Sequence, residues 1–194
     1  VHEYGIDAKR TKIFFYLSLF AILCASAASH LLHDLPFATI TIPVTSFTIF
    51  LLLLRIFSSV LWKRKRWHTL GIVKTPNLAG VWHGSYTTST QQTHQLTLEV
   101  SQTWTKIKLT LTSEQYLAVS YMAAMKTTDP LGVKLIVHAH LFEQVTEQMP
   151  KKCNTIVFEL VQTKPNTLYG RFYTAPHAFS AFGTLALKKG ESAS

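Results

Sequence analysis

Few residues in this 194-residue chain are placed to do covalent chemistry. His138 and His140 flank Ala139, so on a strand both imidazoles fall on one face, which is half of a zinc site. No third ligand is identifiable at a fitting spacing, and a pair of hydrogen-bonded or half-exposed histidines is the ordinary alternative. Cys24 and Cys153 build neither a disulfide framework nor a CxxC motif, and Cys153 without an assigned base suits a small apolar side chain. The carboxylates after residue 74 (Glu99, Glu114, Asp129, Glu143, Glu147, Glu159 and Glu191) form no clustered pair. HExxH, GxSxG, P-loop and Rossmann glycine patterns are all missing. An enzyme is therefore the least supported class, and neither a metal nor a cofactor is expected.

What remains is recognition chemistry. Trp104, Lys106 and Lys108 alternate along one stretch, and Tyr169, Arg171 and Tyr173 along another, so period two puts each set on one strand face. Stacking surfaces beside cations suit nucleobases and phosphodiesters. The plainer reading is a solvated outer face, and a single sequence does not fix which face points in. Trp82, Gly84 and Tyr86 also share a face, where the glycine leaves room for a ligand or for close strand packing. Trp82 itself reads equally as a pocket wall and as a plug at one end of a barrel.

The elements that must position these residues are strands. After Lys74, Thr, Val, Tyr and Phe become frequent and alternation replaces long apolar runs. Eight strands are expected: Gly80–Thr88, Gln95–Gln102, Thr105–Thr112, Leu117–Met125, Val133–Phe142, Thr155–Gln162, Leu168–Thr174 and Gly183–Lys188. Turn signals at Asp129-Pro130-Leu131-Gly132, Met149-Pro150-Lys151-Lys152 and Lys164-Pro165-Asn166 separate several of them. No amphipathic helical stretch of about 10–15 residues intervenes, which argues against a parallel α/β fold and for a small closed antiparallel barrel, filled by side chains or holding one ligand.

The N-terminal part has another texture. The chain is 47% hydrophobic and 15% charged, with a net charge of +9, and both excesses are unevenly placed. Ile13–Leu32 and Val44–Trp62 are long apolar runs near the roughly 20 residues that cross a hydrocarbon core. A signal peptide also fits the first run, with Lys9, Arg10 and Lys12 before it and Ala25-Ser26-Ala27 after its apolar part. The second span directly downstream favours a two-helix transmembrane hairpin, helices about 13–32 and 44–62. Lys9, Arg10 and Lys12 precede it, Lys63-Arg64-Lys65-Arg66 follow it, and the connector carries only Asp34. Both ends are thus expected on the cytoplasmic side, with Trp62 and Trp67 at the interface. Arg55 lies inside the second span, snorkelling toward headgroups or facing other helices in an assembly. Residues 1–74 hold nine cations against three carboxylates, so most of the positive charge sets membrane orientation and no polynucleotide partner is expected. The organisation expected is a hairpin over 1–74 and a barrel over 75–194.

Within that frame, Pro76-Asn77-Leu78-Ala79-Gly80-Val81-Trp82-His83-Gly84-Ser85-Tyr86, then Val100-Ser101-Gln102-Thr103-Trp104-Thr105-Lys106-Ile107-Lys108, then Leu168-Tyr169-Gly170-Arg171-Phe172-Tyr173-Thr174 and Gly183-Thr184-Leu185 follow in order. In this the chain resembles the two-transmembrane β-barrel effectors of cyclic-oligonucleotide-based anti-phage signalling systems, CBASS, over essentially its full length. The resemblance implies a membrane-anchored all-β protein of the bacterial inner membrane whose eight-stranded barrel senses a cyclic dinucleotide made by a nucleotidyltransferase. It further implies that binding drives self-association of the hairpins, which disrupt the bilayer and kill the infected cell. One stretch departs from the pattern: Ala175–Phe182 carries no cation where a short basic segment is usual. That leaves ligand identity and direction of control open, since a related arrangement holds such effectors inactive with a constitutive nucleotide until phage decoys remove it.

Guided by motif position, the expected ligand-binding residues are Trp82, Tyr86, Trp104, Lys106, Tyr121, Arg171, Tyr173 and Thr174. Aromatics would stack bases, Lys106 and Arg171 would neutralise phosphates, and Thr174 would hydrogen-bond a base edge. Two other classes stay in play. A membrane-tethered lipocalin-like carrier of an apolar ligand predicts an uncharged interior cavity. A structural membrane-assembly protein predicts a solidly packed barrel.

Overall fold

A computed structural model describes residues 1–33, 46–143, 151–174 and 182–190. The chain divides into two compact units, residues 9–74 and residues 1–8 with 75–194. The first contains α1 (Thr11–His33) and α2 (Ser46–Ser59), which are in contact, then a 3-10 turn (Leu61–Lys63) and α3 (Lys65–Thr69). Among the described residues, α1 alone is long and apolar enough to cross a bilayer, and the shorter α2 is also apolar. The expected second span differs at its C-terminal end, where the α-helix stops at Ser59 and the backbone tightens into the 3-10 turn. Phe57 packs edge-on against Trp67 with centroids 6.1 Å apart, and His68 Nε2 lies 3.0 Å from the Trp62 carbonyl. The basic run 63–66 is thereby folded into the turn and α3 instead of trailing as a linker.

The second unit is a closed barrel of β1 (His2–Ile6), β2 (Gly80–Thr88), β3 (Thr93–Gln102), β4 (Lys106–Ser113), β5 (Tyr116–Asp129), β6 (Gly132–Glu143), β7 (Lys151–Lys164), β8 (Thr167–Thr174) and β9 (Phe182–Lys189). From β2 to β9 each strand pairs antiparallel with the next, and β9 returns to β2. These are the eight expected strands, β2 with the expected limits, β4 one residue further on and the other six longer, and closure leaves no long edge exposed. One turn signal falls differently: Lys151 and Lys152 lie in β7, paired with Glu143 and Phe142, while 144–150 lie outside the described residues.

The ninth strand, β1, is a correction to the expected count and boundary, since it draws residues from the 1–74 segment into the barrel. β4 and β5 pair only over 110–112 and 117–119 before a bulge at Ser120/Met122 parts them. β1 fills the gap, antiparallel to β4 through His2 and Glu3 and parallel to β5 through Tyr4, Gly5 and Ile6. Polar side chains hold it there. His2 Nε2 lies 2.9 Å from Ser120 Oγ, which also accepts the Leu109 amide at 2.8 Å, and the Tyr4 hydroxyl donates to the Trp104 carbonyl at 2.9 Å. The Asp7 carboxylate accepts from the amides and hydroxyls of Thr127 and Thr128 at 2.7–3.1 Å.

Inward positions repeat every second residue: Leu96, Leu98 and Val100 on β3; Ile107, Leu109 and Leu111 on β4; Leu135, Val137 and Ala139 on β6; Ile156, Phe158 and Leu160 on β7; Leu185 and Leu187 on β9. They fill the interior. A cavity among them, walled by Leu98, Leu111, Val137, Phe158 and other apolar side chains, holds about 10 Å³, which is no more than about one water needs.

Candidate functional site

The eight expected ligand residues separate into four places. Trp82 and Trp104 are fully buried. Trp82 closes the end of the barrel at which β2 begins: its indole N–H donates to the Leu78 carbonyl at 2.9 Å and Lys189 Nζ lies 5.4 Å from its ring. Of plug and pocket wall, the structure builds the plug. Gly84 answers the second open question, because a Cβ there would sit 1.9 Å from the Ala186 carbonyl oxygen; the glycine permits close strand approach and opens no space for a ligand. Trp104 lies in the β3–β4 turn, where the Thr103 amide donates to the Lys106 carbonyl at 2.8 Å. That turn resets the alternation, so Trp104 does not share a strand face with Lys106 and Lys108.

Lys106 is exposed on the outside of β4, opposite Glu3. In the strand order β4 and β8 are four strands apart in either direction, so Lys106 and Arg171 lie on opposite walls and do not meet around one small molecule. Tyr86 and Thr174 lie toward the end opposite Trp82. Tyr86 is half-buried, stacks on His94 with centroids 5.1 Å apart and meets Phe172 edge-on at 5.8 Å. Burial pushes its hydroxyl pKa up, against a smaller opposing hydrogen bond from Ser113.

The remaining three, Tyr121, Arg171 and Tyr173, are brought onto one outer wall. On β8 the buried Leu168 and Phe172 fix the phase, so Tyr169, Arg171 and Tyr173 point outward together, about 6.7 Å apart along the strand. Phe182 on β9 lies opposite Tyr173, and Val157 on β7 flanks it on the other side. Next comes β6, where His138 is opposite Val157. Tyr121 is the residue that the β5 bulge leaves out of register; it stacks on His140 at 4.3 Å and meets His138 at 6.3 Å. Tyr121, Tyr169, Tyr173 and Phe182 are 42–60% exposed, an unusual density of aromatic surface for one wall. Glu159 faces Arg171 across the β7–β8 ladder but bonds Lys134 at 3.3 Å.

Sequence reasoning grouped Tyr169, Arg171 and Tyr173 and chose two of them. It missed Phe182 and the use of His138 and His140 as ring partners of Tyr121. Cross-strand register is what joins them, and only the isolated alternation of aromatics hinted at it. No third His, Cys, Asp or Glu joins the two histidines among the described residues, which leaves the half-site without a metal cluster. A second depression, an open groove of about 350 Å³ over β2–β4, is lined by His83, Gln95, Thr97, Thr112 and Glu114 with no Lys or Arg, a poor match for a phosphodiester.

The solved structures similar to the chain include a redesigned β-barrel, 14% identical, covering 59% of this chain and 92% of its own, with a TM-score of 0.33. No curated protein matches the chain. Residues 73–189, from just before β2 to the end of β9, match the family described as the Cap15 cyclic dinucleotide receptor domain. On that match, which spans more than half of its length, the chain belongs to the Cap15 family of CBASS cyclic dinucleotide receptors.

Proposed function

We propose that the outer wall formed by β5–β9 binds a cyclic dinucleotide over Arg171, and that occupancy controls assembly of the N-terminal helices in the bacterial inner membrane. The observation that carries this reading is the combination of the receptor-domain match with a guanidinium flanked by exposed aromatic rings. The packed interior supports an exterior site, because ligand pockets run to roughly 300–1,000 Å³ and the cavity among the inward side chains holds about 10 Å³. That same figure argues against a lipocalin-like carrier. Arg171 would grip a phosphodiester, with bases stacked on Tyr173, Tyr169 or Tyr121.

The membrane half of the proposal rests on α1, apolar through Thr11–Ala28, on the apolar α2 and on the cations that flank the pair. Both helices would cross the bilayer with N- and C-termini cytoplasmic. Nucleotide made by a partner nucleotidyltransferase would favour the assembled state by binding it more tightly than the resting one, and clustered helices would breach the membrane.

The test is a thermal-shift titration of the full chain in detergent with cyclic di-GMP, cyclic di-AMP, cyclic GMP–AMP and cyclic di-UMP. A ligand at 100 times its Kd stabilises the folded state by about 2.7 kcal/mol, a shift of several degrees for a chain of this size. No shift with any of the four would remove the sensor reading.

A further inference from the structure

The wall around Arg171 is matched to only part of the ligand assigned to it. A cyclic dinucleotide carries two phosphodiester charges and two bases related by a two-fold or pseudo-two-fold axis. Among the side chains that make up the patch (Tyr121, His138, Tyr169, Arg171, Tyr173 and Phe182), Arg171 is the one Lys or Arg. Lys134, two strands away, is engaged by Glu159, and Lys188 on β9, exposed opposite Thr167, stands four residues along the strand from the position facing Arg171, about 13 Å away. One face therefore neutralises one phosphate and leaves the other without a cation. Shape gives the same result: the outside of a closed barrel is convex, whereas small-molecule sites bury roughly 70–90% of the ligand. A convex wall covers one side of a flat macrocycle only.

We infer that this face is a half-site, completed by the same face of a second copy of the chain, so that one cyclic dinucleotide is clamped between two barrels. The inference rests on the preceding reading that the nucleotide sits over Arg171. A two-fold ligand and two identical faces share one symmetry axis, the condition for an isologous contact. Each copy then supplies one guanidinium to one phosphate. The exposed rings of Tyr169, Tyr173 and Phe182 stack on bases or on the facing copy, which withdraws that aromatic surface from water. Nucleotide binding and pairing of chains become one event, with no conformational change required inside the packed barrel.

Two readouts on the full chain in detergent test this, with the tightest-binding of the four cyclic dinucleotides as probe. Calorimetry on the unaltered chain should give one nucleotide per two chains. In a chain whose Cys24 and Cys153 are replaced by serine, Thr184→Cys, exposed on β9 opposite Arg171, should be joined between copies by a short bis-maleimide only when nucleotide is present. Thr112→Cys, on the far wall, should not be joined under the same conditions. One nucleotide per chain, or joining through Thr112→Cys but not Thr184→Cys, overturns the half-site while leaving the preceding reading intact. If none of the four binds, the preceding reading falls and the half-site with it.

Discussion

Along β8, Leu168 and Phe172 turn into the packed interior while Tyr169, Arg171 and Tyr173 turn out to solvent. Alternation with period two gives the two sets separate environments within a few ångströms of each other. Inside, shape complementarity leaves almost no free volume, so a substitution is felt as stability. Outside, rings and a guanidinium stand on a rigid wall, and under the proposed function a substitution there is felt as recognition. On the proposed function the barrel is a scaffold for its own outer surface, and the two roles should come apart under mutation.

The largest effect is expected inside. Phe158→Ala should cost about 3–5 kcal/mol of folding stability, read by chemical denaturation, and leave the nucleotide affinity of the folded fraction unchanged. Outside, Arg171→Ala should lower affinity roughly 10- to 100-fold, about 1.5–3 kcal/mol, with stability within about 0.5 kcal/mol of the parent. Isothermal titration and a melt on the same sample check both halves. Tyr173→Ala should cost toward the low end of about 1–3 kcal/mol per stacked base, again with little change in melting.

Asp7 sharpens the comparison from another side, since it is exposed yet structural. Burial alone would raise its pKa, but the hydrogen bonds from Thr127 and Thr128 outweigh that and hold it well below the ordinary value of 3.8. A carboxyl depressed in the folded state contributes stability above its unfolded pKa and loses it as pH falls from about 3.8 toward the folded value. Asp7→Asn should therefore melt lower than the parent at neutral pH, and the gap should close in acid below pH 3.8. The smallest effect belongs to Lys106→Ala, expected to change affinity by less than about twofold because a solvated charge on the far wall adds little.

The strands were readable because alternation is strong wherever one face is buried; Leu96, Leu98 and Val100 announce β3 unaided. β1 was not readable. Its five residues include a glycine, and its partners on β4 and β5 lie about a hundred residues away in sequence, so no local signal marks it. Among the candidate residues, the motifs most useful for recognising the family proved architectural. Asn77 accepts the Ala79 amide, Gln102 ties down Leu78 and Pro76, and Trp82 plugs the barrel end. Such residues are recognisable because geometry constrains them, and the buried Trp82 and Gln102 present no open surface. The Tyr169–Arg171–Tyr173 alternation was visible, but its companions from β5, β6 and β9 depend on register and on one bulge. Ala175–Ala181, most of the stretch that departs from the family pattern, lies outside the described residues.

The most direct measurement is a difference density map of the full chain with its cyclic dinucleotide bound. Density over the outside of β8, with a phosphate at the Arg171 guanidinium and a base on Tyr169 or Tyr173, is the expected result. Density within the barrel, or on the β4 wall beside Lys106, would contradict it.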